Sequence, residues 1–431
     1  MKIAIVVPGG LHPSGTEQIV PSWLRLFEQL AKTHEIHAFV LKHLSTPQSY
    51  SLRGFTVHDL GRPSSALGVA RWAQERALLK ALDAYRPFDL VHGFFADPSG
   101  LLAARAGERL GIPSIVTCDS GEFVALPVIR YGSQRTRRGR RAVLEACALA
   151  ARVHVCTQFM AALATAHDVK TTIIPLTSVT SETAAARQLS RPAGDASFRL
   201  VQVASLSRVK NQRLLLDALA IVRKRIDARL DLIGEDTLGG ELQKHTAAIG
   251  LEPYVTFHGF LRHECVLEIL ATSDLYVQSS LHEAAGVSVL EAAAAGVPTV
   301  GTLAGLVADW SPSKAVGVGA ATAASLDYPN YELGTGPRTT EPRNLRTLAE
   351  RLLSCGAAQL AERMARTLYS WHLTRKSATW FSRDQVRLER ECLKLHTSSH
   401  RWSTLEKFDR AMADATTKFA KRAAAVDVLA S

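Results

Sequence analysis

Residues 275–300 read LYVQSSLHEAAGVSVLEAAAAGVPTV, and their order of elements decides the fold. Leu275–Gln278 has the length and the aromatic and β-branched content of a short buried strand. A loop follows, and Val287–Ala295 is rich in alanine, the strongest helix former. Gly296 and Pro298 stop that helix, and Thr299–Val300 begins another strand. A helix crossing between two strands makes a parallel βαβ unit.

The same alternation extends upstream. Leu200–Ala204, Leu230–Ile233 and Val255–Phe257 read as strands, with helices over Gln212–Lys224, Gly239–Ile249 and Cys265–Ala271 between and after them. In the first third, Ile3–Val7, Ile36–Leu41, Phe55–Val57, Leu90–Val91, Ser114–Thr117 and Val153–Cys156 are strand candidates. Val20, Trp23, Leu24, Phe27, Leu30 and Ala31 mark one helix face, with a capping box expected at Ser14-Gly15-Thr16-Glu17. Ala66–Tyr85 and Gly100–Leu110 are further helices, the second ended by Gly111 and Pro113. The expected fold is α/β, with two doubly wound Rossmann-like domains facing a cleft. Their bounds are residues 1–178 and 198–375, joined by a linker over Thr177–Ala196. After residue 345 the chain reads as helical, and residues 376–431 are expected to return to the N-terminal domain. Leu405, Phe408, Met412, Ala415, Phe419 and Val426 share one face there, for packing on the body or for a membrane surface or partner.

The chain has 431 residues, 47% hydrophobic and 21% charged, enough for two or three domains with full cores. That excludes a disordered chain, a collagen-like repeat and a disulfide-stapled miniprotein. No window approaches the ~18 apolar residues of a membrane span. Met1–Val7 is too short for a signal-peptide core. The six cysteines lack C-x-x-C spacing, which favours buried thiols in a reducing compartment over a metal or redox role. The net charge of +11 is unusual, and nucleic acid, an anionic membrane surface or anionic small substrates would each account for it.

Glu283 and Glu291 flank the loop-to-helix junction. Eight helical residues span about 12 Å and just over two turns, so both carboxylates can face one cleft. Gly286 marks the helix start, where open N–H groups and the positive dipole end suit a phosphate. A nucleotide-sugar has hydroxyls at both ends and a diphosphate between, which this arrangement would fit. Two solvated glutamates would look the same. Ser205–Gln212 lies at the first strand-to-helix turn of the second half, the phosphate-binding place of a doubly wound domain. Lys210 offers a point charge there and Arg208 a planar fork, unless both are surface cations.

Together these segments resemble the retaining family 4 glycosyltransferases of the GT-B fold. Glu283 and Glu291 meet the family's Glu, seven residues, Glu signature, and Glu291–Pro298 meets its Glu-Ala-x-Ala-x-Gly-x-Pro run. Ser205–Asn211 is similar to its Gly-Arg-Leu…Lys loop. Ile233–Asp236, Val255–Gly259, Pro8-Gly9-Gly10 and Asp89–His92 fit the rest, over residues 1–375. The resemblance implies transfer of a sugar from a nucleotide diphosphate donor to a hydroxyl acceptor with retention, by front-face attack. Lys210 would neutralise the diphosphate, Glu283 hold the transferred sugar and Glu291 bind the ribose hydroxyls. The N–H groups around Ala285, Gly286 and Val287 would cradle the distal phosphate, with Gly9 and Gly10 close to the pyrophosphate. No Asp-x-Asp pair occurs, so no metal and no other cofactor is expected.

Three departures stand out. Ser205 replaces a common arginine, for which Arg208 would substitute; Ala284-Ala285-Gly286 replaces Gly-Phe-Gly; and Asp119 stands where the family has histidine. Asp119 is expected to bind a sugar hydroxyl or act as base towards the acceptor. A differently built acceptor pocket or weak turnover is the alternative.

Arg130, Arg135, Arg137, Arg138, Arg140 and Arg141 form the densest charge cluster, expected on the acceptor side of the first domain. It reads as a solvated face, or as a contact for an anionic lipid surface or an acidic glycan. Nucleic acid is disfavoured, because no reading helix or aromatic platform accompanies it. His263 and His154 lack a second ligand pair for zinc, so packing or surface roles are expected. Gly9-Gly10…Gly15 is not the dinucleotide-binding G-x-G-x-x-G. The expected protein is a cytoplasmic, or peripherally membrane-bound, glycosyltransferase with a glycan, lipid-linked or small-molecule acceptor. The alternatives are a GT-B nucleotide-sugar epimerase or hydrolase, and a catalytically weak nucleotide-sugar-binding scaffold.

Overall fold

The computed structural model describes residues 1–61, 70–174, 197–295, 297, 299–302, 304–310 and 317–320. Described residues up to 174 belong to one compact unit and those from 197 to a second. The expected linker, the helices after residue 345 and the extension 376–431 lie outside the described residues.

The first unit holds an eight-stranded sheet: β1 (Lys2–Val7), β2 (Glu35–Val40), β3 (Gln48–Leu52), β4 (Phe55–Asp59), β5 (Leu90–Phe94), β6 (Ser114–Cys118), β7 (Arg152–Val155) and β8 (Thr172–Ile173). The spatial order is β3-β4-β2-β1-β5-β6-β7-β8, with only β3 antiparallel to its neighbour. Ile3–Val7 is buried throughout, as a strand covered on both faces must be. The helices are α1 (Pro21–Ala31), α2 (Ala70–Tyr85), α3 (Leu101–Leu110), α4 (Arg137–Leu149) and α5 (Gln158–Thr165). Sequence reading misses β3, whose polar residues leave only Leu52 buried, and the two-residue β8.

The expected capping box does not start α1. Pro21 opens the helix after Val20, which gives no side-chain cap. Ser14 Oγ instead accepts the Glu17 N–H at 3.0 Å, inside a loop closed by the Leu11–Ile19 bridge. Proline's preset φ and missing N–H favour the first helical position, which places the boundary there.

The second unit holds β9 (Phe198–Val203), β10 (Ala228–Ile233), β11 (Val255–Gly259), β12 (Leu275–Gln278), β13 (Thr299–Thr302) and β14 (Gly317–Ala320). All pairings are parallel, in the order β11-β10-β9-β12-β13-β14. The helices are α6 (Gln212–Val222), α7 (Glu241–Ala248), α8 (His263–Thr272), α9 (Val287–Ala294) and α10 (Leu306–Trp310). Leu200 and Leu275 face one apolar cluster with Leu215 and Leu219 of α6. Their neighbours Val201 and Tyr276 face another, with Leu267, Leu270, Val289 and Leu290 of α8 and α9. That alternation covers the sheet on both sides. Each unit is therefore doubly wound, as expected.

Candidate active site

Strand order reverses between β9 and β12, so the loops after these two strands border the crevice where open α/β sheets bind ligands. Backbone and side chain tie the two loops together. The Leu281 N–H donates to the Val209 carbonyl at 2.8 Å, and Ser279 Oγ donates to the Lys210 carbonyl at 2.8 Å. Buried Gln212 staples the first loop from below, donating to the Ser205 carbonyl at 3.1 Å and accepting the Ser207 N–H at 3.3 Å. The result brings Lys210 Nζ within 2.6 Å of Glu283 Oε1, which also accepts from Ser280 Oγ at 2.7 Å. The cation and the first glutamate expected from sequence thus meet. Ser280, in a loop, and Gln212, the first residue of α6, escaped sequence reading because their partners lie in other segments and no local spacing marks them.

Gly286 precedes α9 at φ 82, a left-handed conformation. A Cβ on it would lie 2.6 Å from Gln278 Oε1. The N–H groups at the very start of α9 precede its first turn's bond, which the Val289 N–H donates to the Gly286 carbonyl at 2.9 Å. Glu291 lies one turn further along. Its Oε1 is 2.8 Å from His263 Nε2, and both side chains are largely buried. His263, expected as a packing or surface residue, packs at the start of α8 as this glutamate's partner.

Arg208 does not share Lys210's environment. Its Nη2 pairs with Glu241 at 3.1 and 3.3 Å, at a well-exposed position. Ser205 is also exposed. Asp236 caps the next loop by accepting the Leu238 and Gly240 N–H groups at 2.7 and 2.9 Å, and those bonds hold its carboxyl below the usual range.

In the first unit, order reverses between β1 and β5, and Gly9 and Gly10 follow β1. Gly10 has φ 80, and a Cβ there would approach Val20 Cγ2 to 2.7 Å; one on Gly9 would meet nothing nearer than 3.7 Å. Asp119 follows β6, and its Oδ1 accepts from Cys156 Sγ at 3.1 Å. Burial, reinforced by Asp119, pushes the Cys156 thiol up, which keeps it a donor. Buried Glu122 accepts the Ser120 and Ala96 N–H groups at 2.7 and 3.3 Å, while desolvation raises its carboxyl pKa. His92 Nε2 lies 2.7 Å from Thr117 Oγ1. Among the described residues, no three His, Cys, Asp or Glu gather to hold a metal.

Arg135 closes a short 3-10 turn, and Arg137, Arg138, Arg140 and Arg141 fill the start of α4. Thr136 caps that helix by accepting the Gly139 N–H at 3.0 Å. All five arginines are exposed, and none is ion-paired among the described residues. No described helix is long and apolar enough to cross a membrane.

Residues 190–313 match the family described as Glycosyl transferases group 1, and residues 19–177 match the Glycosyl transferase 4-like domain. Mannosylfructose-phosphate synthase of Agrobacterium fabrum is 35% identical over 109 residues, 23% of this chain and 24% of that protein. The chain spans about a quarter of the length of the curated relatives it matches. Sucrose-phosphate synthase of Thermosynechococcus elongatus has a TM-score of 0.59 at 18% identity, covering 86% of this chain and all of that one (100%). Anabaena HepE in complex with UDP-glucose has a TM-score of 0.55 at 18% identity, with coverage of 86% and 100%. Two doubly wound units of this kind define the GT-B fold. With both halves matched by glycosyltransferase families, the chain belongs to the family 4-like GT-B glycosyltransferases.

Proposed function

We propose that the protein transfers a sugar from a nucleoside-diphosphate donor to a hydroxyl acceptor, with retention of configuration. The observation that carries this is the Lys210–Glu283 pair at a sheet switch point. A diphosphate arriving there meets Lys210 and the start of α9, which supplies N–H donors around Ala285, Gly286 and Val287. Released from Lys210, Glu283 accepts hydroxyls of the transferred sugar. Glu291 accepts those of the ribose. HepE's complex with UDP-glucose supports a donor of this chemical class.

Lys210 supplies positive charge at the leaving diphosphate, so the reaction proceeds without a divalent cation. The leaving phosphate takes the acceptor's proton on the face it departs from, which retains configuration. Catalysis is then chiefly positioning and charge stabilisation. Gly9 leaves room for close approach of a phosphate to backbone, while Arg208 is free to leave its exposed partner Glu241. The first unit takes the acceptor through Asp119. The exposed arginines of α4 serve an acidic glycan or lipid-linked acceptor, or hold the protein peripherally on the cytoplasmic face of an anionic membrane.

Incubation with UDP-, GDP- and ADP-sugars, following nucleotide release with and without acceptor extracts, tests the reading. Acceptor-dependent release that survives chelator supports it. Release without acceptor identifies a hydrolase, and conversion of the donor to its epimer without release identifies an epimerase. Binding without release identifies a scaffold, the reading that Asp119 in the family's histidine position favours.

A further inference from the structure

His263 opens α8 directly after the turn at Gly259, whose φ of 65 swings the chain off the end of β11. Glu291 lies inside α9. Val266, Leu267 and Leu270 of the first helix share one apolar cluster with Val289, Leu290, Ala292 and Ala293 of the second. The helices are therefore fixed against each other, and the imidazole–carboxylate contact of 2.8 Å spans a rigid seam. Neither partner is free to swing, with side-chain exposures of 19% and 10%.

A carboxylate has two oxygens, and His263 occupies only Oε1. Among the described residues no side chain is seen to bond Oε2, which is left to accept from a ligand. We propose that His263 is a positioning residue that holds Glu291 in one rotamer, so that Oε2 is presented to the vicinal ribose hydroxyls of the donor. This rests on the reading of Glu291 as the ribose acceptor. A free glutamate side chain must be ordered when it binds, which costs a factor of about ten to thirty in an equilibrium constant. The imidazole N–H removes most of that cost beforehand. His263 itself touches no reacting atom.

Calorimetry on the full-length protein tests this with three probes: the tightest binder among UDP, GDP and ADP, the 2′,3′-dideoxy analogue of that nucleotide, and inorganic pyrophosphate. His263→Ala is expected to weaken the nucleotide about tenfold, the dideoxy analogue less than about twofold, and pyrophosphate not at all. His263→Asn, too short to reach Glu291, should behave as alanine does. His263→Gln, whose amide reaches as far as Nε2, should restore affinity to within about threefold. In turnover, the change falls on the donor KM and leaves kcat in place. Unchanged nucleotide affinity in both His263→Ala and His263→Asn overturns the proposal, as does equal loss for all three probes, which marks a merely structural role. A wild-type protein that binds no nucleotide, or a Glu291→Gln variant that binds as wild type does, overturns the ribose reading and this inference with it.

Discussion

Lys210 Nζ and Glu283 Oε1 lie 2.6 Å apart, so the two groups proposed to meet different parts of a donor neutralise each other. The pair is mostly shielded, with side-chain exposures of 24% and 11%. Removing one partner strands the other in a poorly solvated place, whereas removing both does not. Lys210→Met and Glu283→Gln should each lower stability by about 1–2 kcal/mol, and the double variant by clearly less than their sum. Denaturant unfolding of the three variants measures this coupling. Both single variants should also lose at least about a hundredfold in turnover, since a charge aimed at the developing diphosphate is removed or its sugar contact is weakened. Turnover that survives both changes would falsify the assignment.

Gly286 and Gly9 differ in what an added methyl group would meet. At Gly286 the backbone is left-handed, and an added methyl would press on Gln278 Oε1. Gly286→Ala should cost more than about 1 kcal/mol and weaken nucleotide binding as well. At Gly9 the nearest neighbour is an ordinary 3.7 Å away, so Gly9→Ala should leave stability within about 0.5 kcal/mol and change only donor binding. Thermal melts paired with nucleotide titration distinguish the two. A strongly destabilised Gly9→Ala would contradict this geometry.

Much of this was legible in the chain itself. The strands buried on both faces, such as Ile3–Val7, form continuous apolar runs that local pattern reveals. Glu283, Glu291 and Lys210 stand in motifs, so they could be singled out before their contacts were known. The contacts were not legible. His263 finds Glu291 only because two helices pack through residues far apart in sequence, and Arg208 turns to Glu241 because a loop aims it outward. Pairings of that kind depend on tertiary packing, which no local spacing encodes. Ser14 looked like a cap for the same reason in reverse: it has the right neighbours, but Pro21 sets the helix start.

Stability of the first unit should fall in mild acid. Burial holds His58 and His154 down to about 4, and burial with His154 nearby holds His92 down to about 3. In the unfolded chain these groups titrate near 6.5. The unfolded state therefore binds more protons in this window, so the stability is fully present above pH 6.5 and is lost as pH drops towards 4. Each histidine contributes a slope of about 1.4 kcal/mol per pH unit within its window. Urea midpoints at pH 7, 6 and 5 should decline progressively. Constant midpoints would show that these imidazoles are not held neutral by the fold.

The arginines at the start of α4 oppose its own dipole, since the amino end of a helix carries partial positive charge. No acidic residue occupies that first turn to offset them. They therefore cost the helix stability rather than adding to it. Replacing Arg137, Arg138, Arg140 and Arg141 together by glutamine should leave the melting temperature unchanged or higher. Binding to phosphatidylserine vesicles should fall by about 1 kcal/mol per charge removed, while phosphatidylcholine vesicles bind neither form. Sedimentation with both vesicle types measures it. Equal binding of variant and wild type would leave the cluster as a solvated face.

Asp119 tests the acceptor side. Its Oδ1 accepts from the Cys156 thiol, whose pKa burial pushes up, so the proton stays on sulfur. If it meets the acceptor hydroxyl, Asp119→Asn removes charge but little volume. The expected result is a fall in kcat of at least about tenfold, a typical loss for a group assisting proton transfer, with donor KM preserved. Cys156→Ser keeps a donor to Oδ1 and should retain most activity, whereas Cys156→Ala removes that donor and should resemble Asp119→Asn in part. A loss that appears in donor KM instead would move Asp119 out of the acceptor's reach and into the binding of the nucleotide-sugar.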